Sequence, residues 1–227
     1  HRDLHSFPTR RSSDLGCTLK PSKWTGLAVA LAASFSISVA AAEAPTITKY
    51  QLFVPEKYYV AYNGANKADF PKGFVTGYGS GFAFKGYAKD GAIEFYGITD
   101  RGPNGDGPSY QTADAKRSSK FFPAPAFQPQ LAVIRVKDGK AEVTQTMGLT
   151  VNNKPITGLP LAPGRVGSTD EVAPSENLTD LGYDNNGLDT EAIALDRKGN
   201  FWVCDEYGPF IVQFNSKGQL LKKYAPG

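Results

Sequence analysis

Residues 192–224 read AIALDRKGNFWVCDEYGPFIVQFNSKGQLLKKY, and this segment indicates the architecture of the 227-residue chain. It contains four short runs rich in β-branched and aromatic residues, separated by turns rich in Gly, Asn and Pro: 192–196, 201–205, 210–214 and 219–224. Four strands and three turns within about 35 residues are typical of one blade of a β-propeller. The segment therefore predicts an all-β fold, a β-propeller of four-stranded antiparallel blades.

The preceding part of the chain shows the same pattern of short strands. Runs of the same residue types lie at 58–62, 81–84, 93–98, 131–136 and 141–143. Asp138-Gly139, between the last two runs, predicts a hairpin turn because this pair tolerates positive φ. Beyond residue 43 no segment shows a sustained 3.6-residue apolar period, so little helix is expected. A propeller needs several blades of about 40 residues, so we expect an incomplete ring in this chain.

The first 42 residues are expected to lie outside the folded domain. Residues 1–15 start without Met and show no apolar periodicity, and we interpret them as a non-native, adapter-like leader. Residues 16–42 combine two lysines, an apolar stretch over 27–39 and small residues after it, the pattern of a secretory signal peptide. That stretch is too short for a permanent membrane anchor. Residues 43–227 are then the N-terminal part of a propeller domain in a bacterial periplasmic or secreted protein, with no stable membrane insertion after signal cleavage.

The charge and histidine content of the remaining chain exclude several classes of partner and chemistry. Five of the 25 basic and two of the 22 acidic residues lie within the first 42, so residues 43–227 carry 20 of each sign. No nucleic-acid partner is expected, because phosphate-backbone binding requires a basic excess. Both histidines, His1 and His5, lie in the leader, which excludes a Ser-His-Asp triad and a His-ligated zinc from residues 43–227. We expect a monomer that acts on a small molecule through carboxylates, Arg, Lys, Tyr, hydroxyls or a bound hard cation.

One candidate site surrounds ITDRGPNGDG, residues 98–107. In it an apolar strand ends in Asp100 and Arg101 before a Gly-Pro turn, and FWVCDEYGP at 201–209 repeats this order. Equivalent strands of two blades would place both sets of charges on one face of a propeller. A carboxylate beside a guanidinium can hold a cation or accept a proton while the guanidinium binds an anion. The alternative is an Asp-Arg pair that only braces the turn.

A second candidate site lies in an acidic segment, residues 170–206. It contains ten acidic residues and, as basic residues, only Arg197 and Lys198. Converging carboxylates repel one another unless a cation neutralises them, and their hard oxygens suit Ca²⁺ or Mg²⁺. Asp189 and Glu191 lie two residues apart, so an extended backbone places both side chains on one face. The alternative is a solvated acidic loop without a bound ion.

Three segments carry a family resemblance: ITDRGPNG (98–105), GLDTEAIALD (187–196) and FWVCDEYGPFIVQF (201–214). They resemble the "esterase-like activity of phytase" family of exported bacterial β-propeller proteins. The resemblance extends from about residue 70 to the C-terminus, and the DEYGP segment is its most specific part. It implies a hydrolase of phosphate or carboxylate esters that is calcium-assisted, as propeller phytases are. One minor departure is Ala192, where the family more often has Gly.

The resemblance and the two candidate sites together assign roles to named residues. Four carboxylates are predicted to hold Ca²⁺: Asp189, Glu191, Asp205 and Glu206. Arg101 and Tyr207 are predicted to bind substrate, with Asp100, Arg101 and Glu206 as the catalytic residues. The predicted function is an exported esterase- or phosphatase-like hydrolase of a small-molecule ester or phosphoester. Two alternatives stay open, a calcium-dependent lactonase and a non-catalytic propeller that binds a ligand or a protein.

Overall fold

The computed structural model describes residues 45–226, and every structural statement here concerns that part of the chain. The predicted leader (1–15) and signal peptide (16–42) lie outside the described residues. The described chain consists of β-strands, loops and one 3-10 turn at Glu56–Tyr58, with no α-helix, which confirms the all-β prediction. Within this part, no helix has the length and apolar character needed to cross a membrane.

Short strands follow one another along the described chain, most of them bounded by turn-forming residues. In chain order they are β1 (Leu52–Phe53), β2 (Gly81–Tyr87), β3 (Ile93–Ile98), β4 (Gly105–Asp106), β5 (Tyr110–Gln111), β6 (Lys116–Arg117), β7 (Lys120–Phe121), β8 (Gln130–Lys137), β9 (Lys140–Gly148), β10 (Thr150–Val151), β11 (Lys154–Pro155), β12 (Thr190–Leu195), β13 (Phe201–Asp205), β14 (Ile211–Phe214) and β15 (Leu220–Tyr224). They all lie in the unit that begins at Ile47.

The first sheet has five strands in the order β1-β9-β8-β3-β2. β1 pairs with β9 in parallel, and the other four strands form an antiparallel meander. The hairpin turn predicted between β8 and β9 is confirmed, because Asp138 (φ 50°) and Gly139 (φ 75°) both have positive φ. This sheet therefore contains a four-stranded unit of the predicted kind, extended at one edge by β1.

The second sheet is a four-stranded antiparallel meander, β12-β13-β14-β15. It is formed by residues 190–224, and each of the four strands predicted over 192–224 is present. Burial alternates along β13, because Phe201 and Val203 are buried whereas Cys204 is exposed together with its cross-strand partner Ile211. One face of the sheet thus forms core and the opposite face carries exposed side chains.

A shared hydrophobic core joins the two sheets. Its deeply buried members from the strands are Ile98, Leu131, Phe201, Val203, Val212 and Phe214. Tyr96 of β3 packs edge-on against Phe201, with ring centroids 4.9 Å apart. The backbones also approach closely, since a Cβ atom on Gly81 of β2 would lie 2.9 Å from the Cα of Ala192 in β12. Glycine at this position therefore allows the two sheets to meet along β2 and β12.

The described sheets do not close into a ring. They comprise the two meanders and three two-stranded ribbons, β4-β7, β5-β6 and β10-β11, which lie in the long connections between the meander strands. Bridges from Ser119 to Val172 and from Phe122 to Ser175 tie the two longest connections together. Two neighbouring meanders agree with the predicted blades, but they do not by themselves establish a propeller.

The strand predicted over residues 58–62 is wrong. The turn at Glu56–Tyr58 occupies its start, and Val60 forms only a single bridge. Pro55 precedes this turn, and proline has no N–H to donate to a strand ladder. The aromatic residues Tyr58 and Tyr59 are instead used in tertiary packing, against the core on the other face of the first sheet.

Asp196 organises the turn between β12 and β13. Its carboxylate accepts hydrogen bonds from the backbone N–H groups of Asn200 (2.9 Å) and Lys198 (2.8 Å) and from the indole N–H of Trp202 (3.2 Å). These donors, the Asn200 N–H foremost, hold the pKa of Asp196 at about 2. The Trp202 ring in turn stacks on Tyr224 of β15, with centroids 5.7 Å apart.

Two buried tyrosines offer a matched test of hydrogen-bond satisfaction. Tyr62 and Tyr78 are each 2% exposed, and the Tyr62 hydroxyl donates to Glu176 at 2.7 Å. The Tyr78 hydroxyl has no hydrogen-bond partner among the described residues. We expect Tyr78→Phe to raise the free energy of unfolding by about 1 kcal/mol, because it removes an unsatisfied buried group. Tyr62→Phe should lower it. Urea denaturation at pH 7 measures both changes.

The same pair of proteins, wild type and Tyr78→Phe, tests the effect of alkaline pH. Burial raises the pKa of Tyr78 to about 12, while a tyrosine in the unfolded chain ionises near pH 10. The unfolded state therefore loses its proton first, and Tyr78 destabilises the fold as pH rises from about 10 to 12. The stability gain of Tyr78→Phe should widen over that range. A gain that stays constant from pH 7 to 11 would contradict the buried, unionised hydroxyl.

Candidate functional site

Strand ends from both sheets bring the acidic residues to one place. Asp205, at the end of β13, pairs with Thr190 at the start of β12, so the acidic residues that flank this pair lie at the same end of the second sheet. The Thr190 hydroxyl donates a hydrogen bond to the carbonyl of Thr99, which follows β3. Asp100, the next residue, is thereby held beside the start of β12.

Three carboxylates form a group whose spacing suits a metal ion. Asp189, Glu191 and Glu206 each contribute an oxygen that lies within 4.8 Å of the other two. Asp189 is 1% exposed, whereas Glu191 and Glu206 are open to solvent. Asp100 and Glu191 line one cavity of about 300 Å³, so a fourth carboxylate borders the group. We refer to Asp100, Asp189, Glu191 and Glu206 as the carboxylate cluster.

Burial and like charge disfavour ionisation within the carboxylate cluster. Burial raises the pKa of Asp189 to about 6, with Arg101 opposing the rise and the charges of Glu206 and Asp100 adding to it. The pKa of Glu191 is also raised, by partial desolvation of its carboxyl group and then by the neighbouring carboxylates. A divalent cation with oxygen ligands would relieve this repulsion.

Arg101 is the counter-ion of Asp189. Its Nε donates to Asp189 Oδ2 at 2.8 Å, and its backbone N–H donates to Asp189 Oδ1 at 3.1 Å. Its Nη1 donates to Glu171 Oε1 at 3.1 Å and to the Tyr207 hydroxyl at 3.2 Å. The guanidinium carbon also lies 5.0 Å from the centroid of the Tyr207 ring, a cation–π arrangement. The substrate-binding role of Arg101 stays a prediction, because these contacts already use much of its hydrogen-bonding capacity.

Tyr207 is buried against Arg101 with its hydroxyl in internal hydrogen bonds. The hydroxyl donates to the Gly158 carbonyl at 2.6 Å and accepts from Arg101. Burial raises the pKa of Tyr207 above its ordinary value, so the phenol stays protonated at neutral pH. Its place beside the Arg101–Asp189 pair supports that pair, and its predicted contact with substrate stays a prediction.

Asp205 stands apart from the carboxylate cluster although it is adjacent to Glu206 in sequence. Its Oδ1 accepts the backbone N–H of Asp189 at 2.7 Å, and its Oδ2 accepts that of Gly208 at 3.0 Å. Burial raises the pKa of Asp205 to about 6, against the effect of these N–H donors and of Lys223. Its carboxylate therefore ties the DEYGP turn to the start of β12, and its predicted metal ligation stays a prediction.

The position of Asp100 is compatible with both interpretations of its motif, a carboxylate of the site and a residue that braces the turn. Its Oδ1 accepts the backbone N–H of Gly102 at 2.8 Å, so it braces the turn, and it also borders the cavity with Glu191. Gly102 has φ 98°, and a Cβ atom on it would lie 2.1 Å from the ring of Phe127. Only glycine fits there, and the turn that carries Asp100 is consequently packed under Phe127.

Four residues of the site, one segment before β2 and one distant glutamate, have no recognisable signal in the local sequence. Gly77, Gly79 and Ser80, which precede β2, line the cavity that contains Glu191. Glu171 pairs with Arg101 across 70 residues of sequence. In the sequence, Glu171 is marked only by its position in the acidic segment 170–206. No local pattern connects it with Arg101.

The fold and the site define an all-β protein with a cluster of carboxylates at its strand ends whose spacing suits a metal ion. The chain belongs to the family described as "Phytase-like: Esterase-like activity of phytase", whose sequence profile matches residues 76–226. The matched region contains the whole carboxylate cluster and confirms the family resemblance. The family fits a hydrolase-like function.

Other comparisons cover less of the chain. An "Uncharacterized secreted protein" of Arthroderma benhamiae is 44% identical over 39 residues, which are 17% of this chain and 8% of that protein. The chain thus matches less than a tenth of the length of this curated relative. No solved structure matches the chain.

The neighbours Asp205 and Glu206 should respond differently to the loss of charge. Asp205→Asn replaces one acceptor by an amide N–H₂ that faces the buried N–H of Asp189 or Gly208, so we expect the free energy of unfolding to fall by about 1–3 kcal/mol. Glu206→Gln changes an exposed side chain and removes a charge that repels Asp189, so it should leave the free energy of unfolding unchanged or raise it slightly. Denaturant unfolding in excess EDTA measures both without interference from metal. Equal stability of the two variants would contradict the bracing role of Asp205.

Proposed function

We propose that this protein is a calcium-assisted hydrolase of ester bonds that works at the carboxylate cluster. The observation that carries the proposal is the approach of Asp189, Glu191 and Glu206 oxygens to within 4.8 Å of one another. Membership of the phytase-like family supports a hydrolase that acts on esters. The absence of histidine from residues 43–227 excludes histidine-based catalysis there, and carboxylates with a hard cation are among the remaining options.

The donor set of the cluster fits Ca²⁺. All its side-chain donors are carboxylate oxygens, the hard ligands that Ca²⁺ prefers, and two of the three grouped residues are open to solvent. Arg101 compensates the charge of Asp189 and also pairs with Glu171. The carboxylate cluster therefore keeps a net negative charge. Asp189, Glu191 and Glu206 would hold the ion, with Asp205 as the brace that positions the turn carrying Glu206.

The residues of the chain have separable tasks in ester hydrolysis. A bound calcium ion would polarise the ester and lower the pKa of the attacking water. Asp100 accepts a proton from the attacking water while the water oxygen adds to the ester carbon or phosphorus. The bond to the alcohol oxygen then breaks, and Asp100 returns the proton to the leaving alkoxide, so acid and alcohol are released. Arg101 and Tyr207 keep Asp189 oriented throughout.

The propeller and the export of the protein are parts of the same proposal. The two meanders share a core and meet along β2 and β12, an arrangement in agreement with adjacent blades whose second strands, β3 and β13, deliver acidic residues to one end. The name of the Arthroderma benhamiae relative supports export. We propose a monomer that acts on a small-molecule ester outside the cytoplasm.

Calcium binding and hydrolysis can be tested with matched carboxylate variants. We expect Glu191→Gln and Glu206→Gln each to weaken calcium binding by about tenfold or more, because each removes a charged ligand. Glu142→Gln, an exposed carboxylate on β9, serves as the control and should bind calcium as the wild type does. Isothermal titration calorimetry with CaCl₂ measures the affinities.

Activity is measured on p-nitrophenyl butyrate and p-nitrophenyl phosphate with calcium and with excess EDTA. We expect hydrolysis of at least one ester that EDTA abolishes and added calcium restores. Full activity in EDTA would remove the metal role. Calcium binding without turnover of any ester would favour the non-catalytic ligand-binding alternative.

A further inference from the structure

We propose that the substrate is an uncharged carboxylic ester whose apolar group occupies a second cavity beside Asp100. This inference rests on the proposed function and selects among its substrates. The second cavity has a volume of about 350 Å³ and is lined in part by Asp100 and Gly77. Both residues also line the cavity that contains Glu191, so the two cavities adjoin at Asp100. A ligand in the second cavity would therefore lie next to Asp100 of the carboxylate cluster.

Five apolar side chains line one part of the second cavity. Val60, Phe74, Val75, Pro103 and Phe127 contribute to its lining. Val60 and Phe127 belong to a small core cluster against which Phe74 packs, so this wall is held in place by the fold. A volume of about 350 Å³ is at the lower end of the range for small-ligand pockets. An alkyl or phenyl group fits this volume and would contact these five side chains.

Two polar side chains of the second cavity each donate an internal hydrogen bond. The Thr76 hydroxyl donates to the Tyr58 carbonyl at 2.6 Å, and the Asn104 amide donates to the Gly102 carbonyl at 2.9 Å. A phosphate group would require several free donors or cations at this position. These side chains provide no cation, and the Asn104 amide retains a single further N–H.

The charge distribution disfavours anionic substrates. Among the described residues, no Lys or Arg lines either cavity, and Arg101 is engaged by Asp189 and Glu171. The carboxylate cluster has four acidic groups, so one bound Ca²⁺ leaves it negative even with the charge of Arg101. A phosphate monoester, and more so a polyphosphorylated ester, is repelled at such a site. An uncharged ester avoids this repulsion.

The inference is tested by substrate preference and by two matched exposed valines. With calcium present, we expect kcat/KM for p-nitrophenyl butyrate or for the cyclic ester δ-valerolactone to exceed that for p-nitrophenyl phosphate and phytate by at least tenfold. Val75 lines the second cavity and is 62% exposed, whereas Val166, at 59%, does not line it. Val75→Asp should raise KM for the uncharged ester about tenfold. Val166→Asp should leave KM unchanged.

Binding supplies a readout that does not depend on turnover. Saturation-transfer NMR in calcium-free buffer should detect N-phenylbutanamide, an uncharged amide analogue, on the wild type and Val166→Asp and not on Val75→Asp. Phenyl phosphate should not bind. Binding of N-phenylbutanamide that Val75→Asp leaves intact, or no binding to the wild type, would overturn the inference.

The outcomes separate the inference from the function on which it rests. Calcium-dependent hydrolysis that prefers p-nitrophenyl phosphate or phytate overturns the uncharged substrate and leaves the calcium hydrolase standing. If no ester is hydrolysed and calcium does not bind, the proposed function fails. In that case the NMR result on Val75→Asp still decides whether the second cavity selects uncharged ligands.

Discussion

The ion pair between Arg101 and Asp189 is the interaction on which the arrangement of the site depends. It joins the turn after β3 to the residue before β12, and both the guanidinium and the backbone N–H of Arg101 contact the same carboxylate. Without a positive partner, Asp189 would be a buried charge at high cost. Because the pair is satisfied, the fold can keep one carboxylate buried while Glu191 and Glu206 remain accessible. The buried member fixes the geometry, and the accessible members are free to bind.

Local patterns in the sequence predicted the strands well, because alternation and turn residues act over a few positions. The segment 192–224 formed its four strands, and Asp138-Gly139 formed its hairpin. The strand prediction for residues 58–62 was wrong. Tyrosines favour strands, but Tyr58 and Tyr59 pack here against core residues of the first sheet that are far away in sequence. Whether the meanders belong to a ring is a long-range property that short-range patterns do not report.

Within the site, the acidic segment predicted that carboxylates would come together, but it did not predict the role of each carboxylate. Asp189, Glu191 and Glu206 do come together, as the acidic segment indicated. Asp205 and Glu206 are adjacent in sequence, yet one points to backbone N–H groups and the other to solvent, a distinction set by the bend after β13. The role of Arg101 depends on Glu171 and Tyr207, which are 70 and 106 residues away. Such distant partners leave no trace in a local motif.

Trp202 gives the protein a built-in optical reporter. It is the only tryptophan among the described residues, and its indole is held between the Asp196 carboxylate and the ring of Tyr224. Its emission will therefore follow the integrity of the turn and outer strands of the second sheet. The indole is attached to the end of β13 opposite the acidic groups. Fluorescence therefore reports on one end of this strand, and ligand binding reports on the other. Unfolding at the Trp202 end can thus be distinguished from disruption of the acidic end.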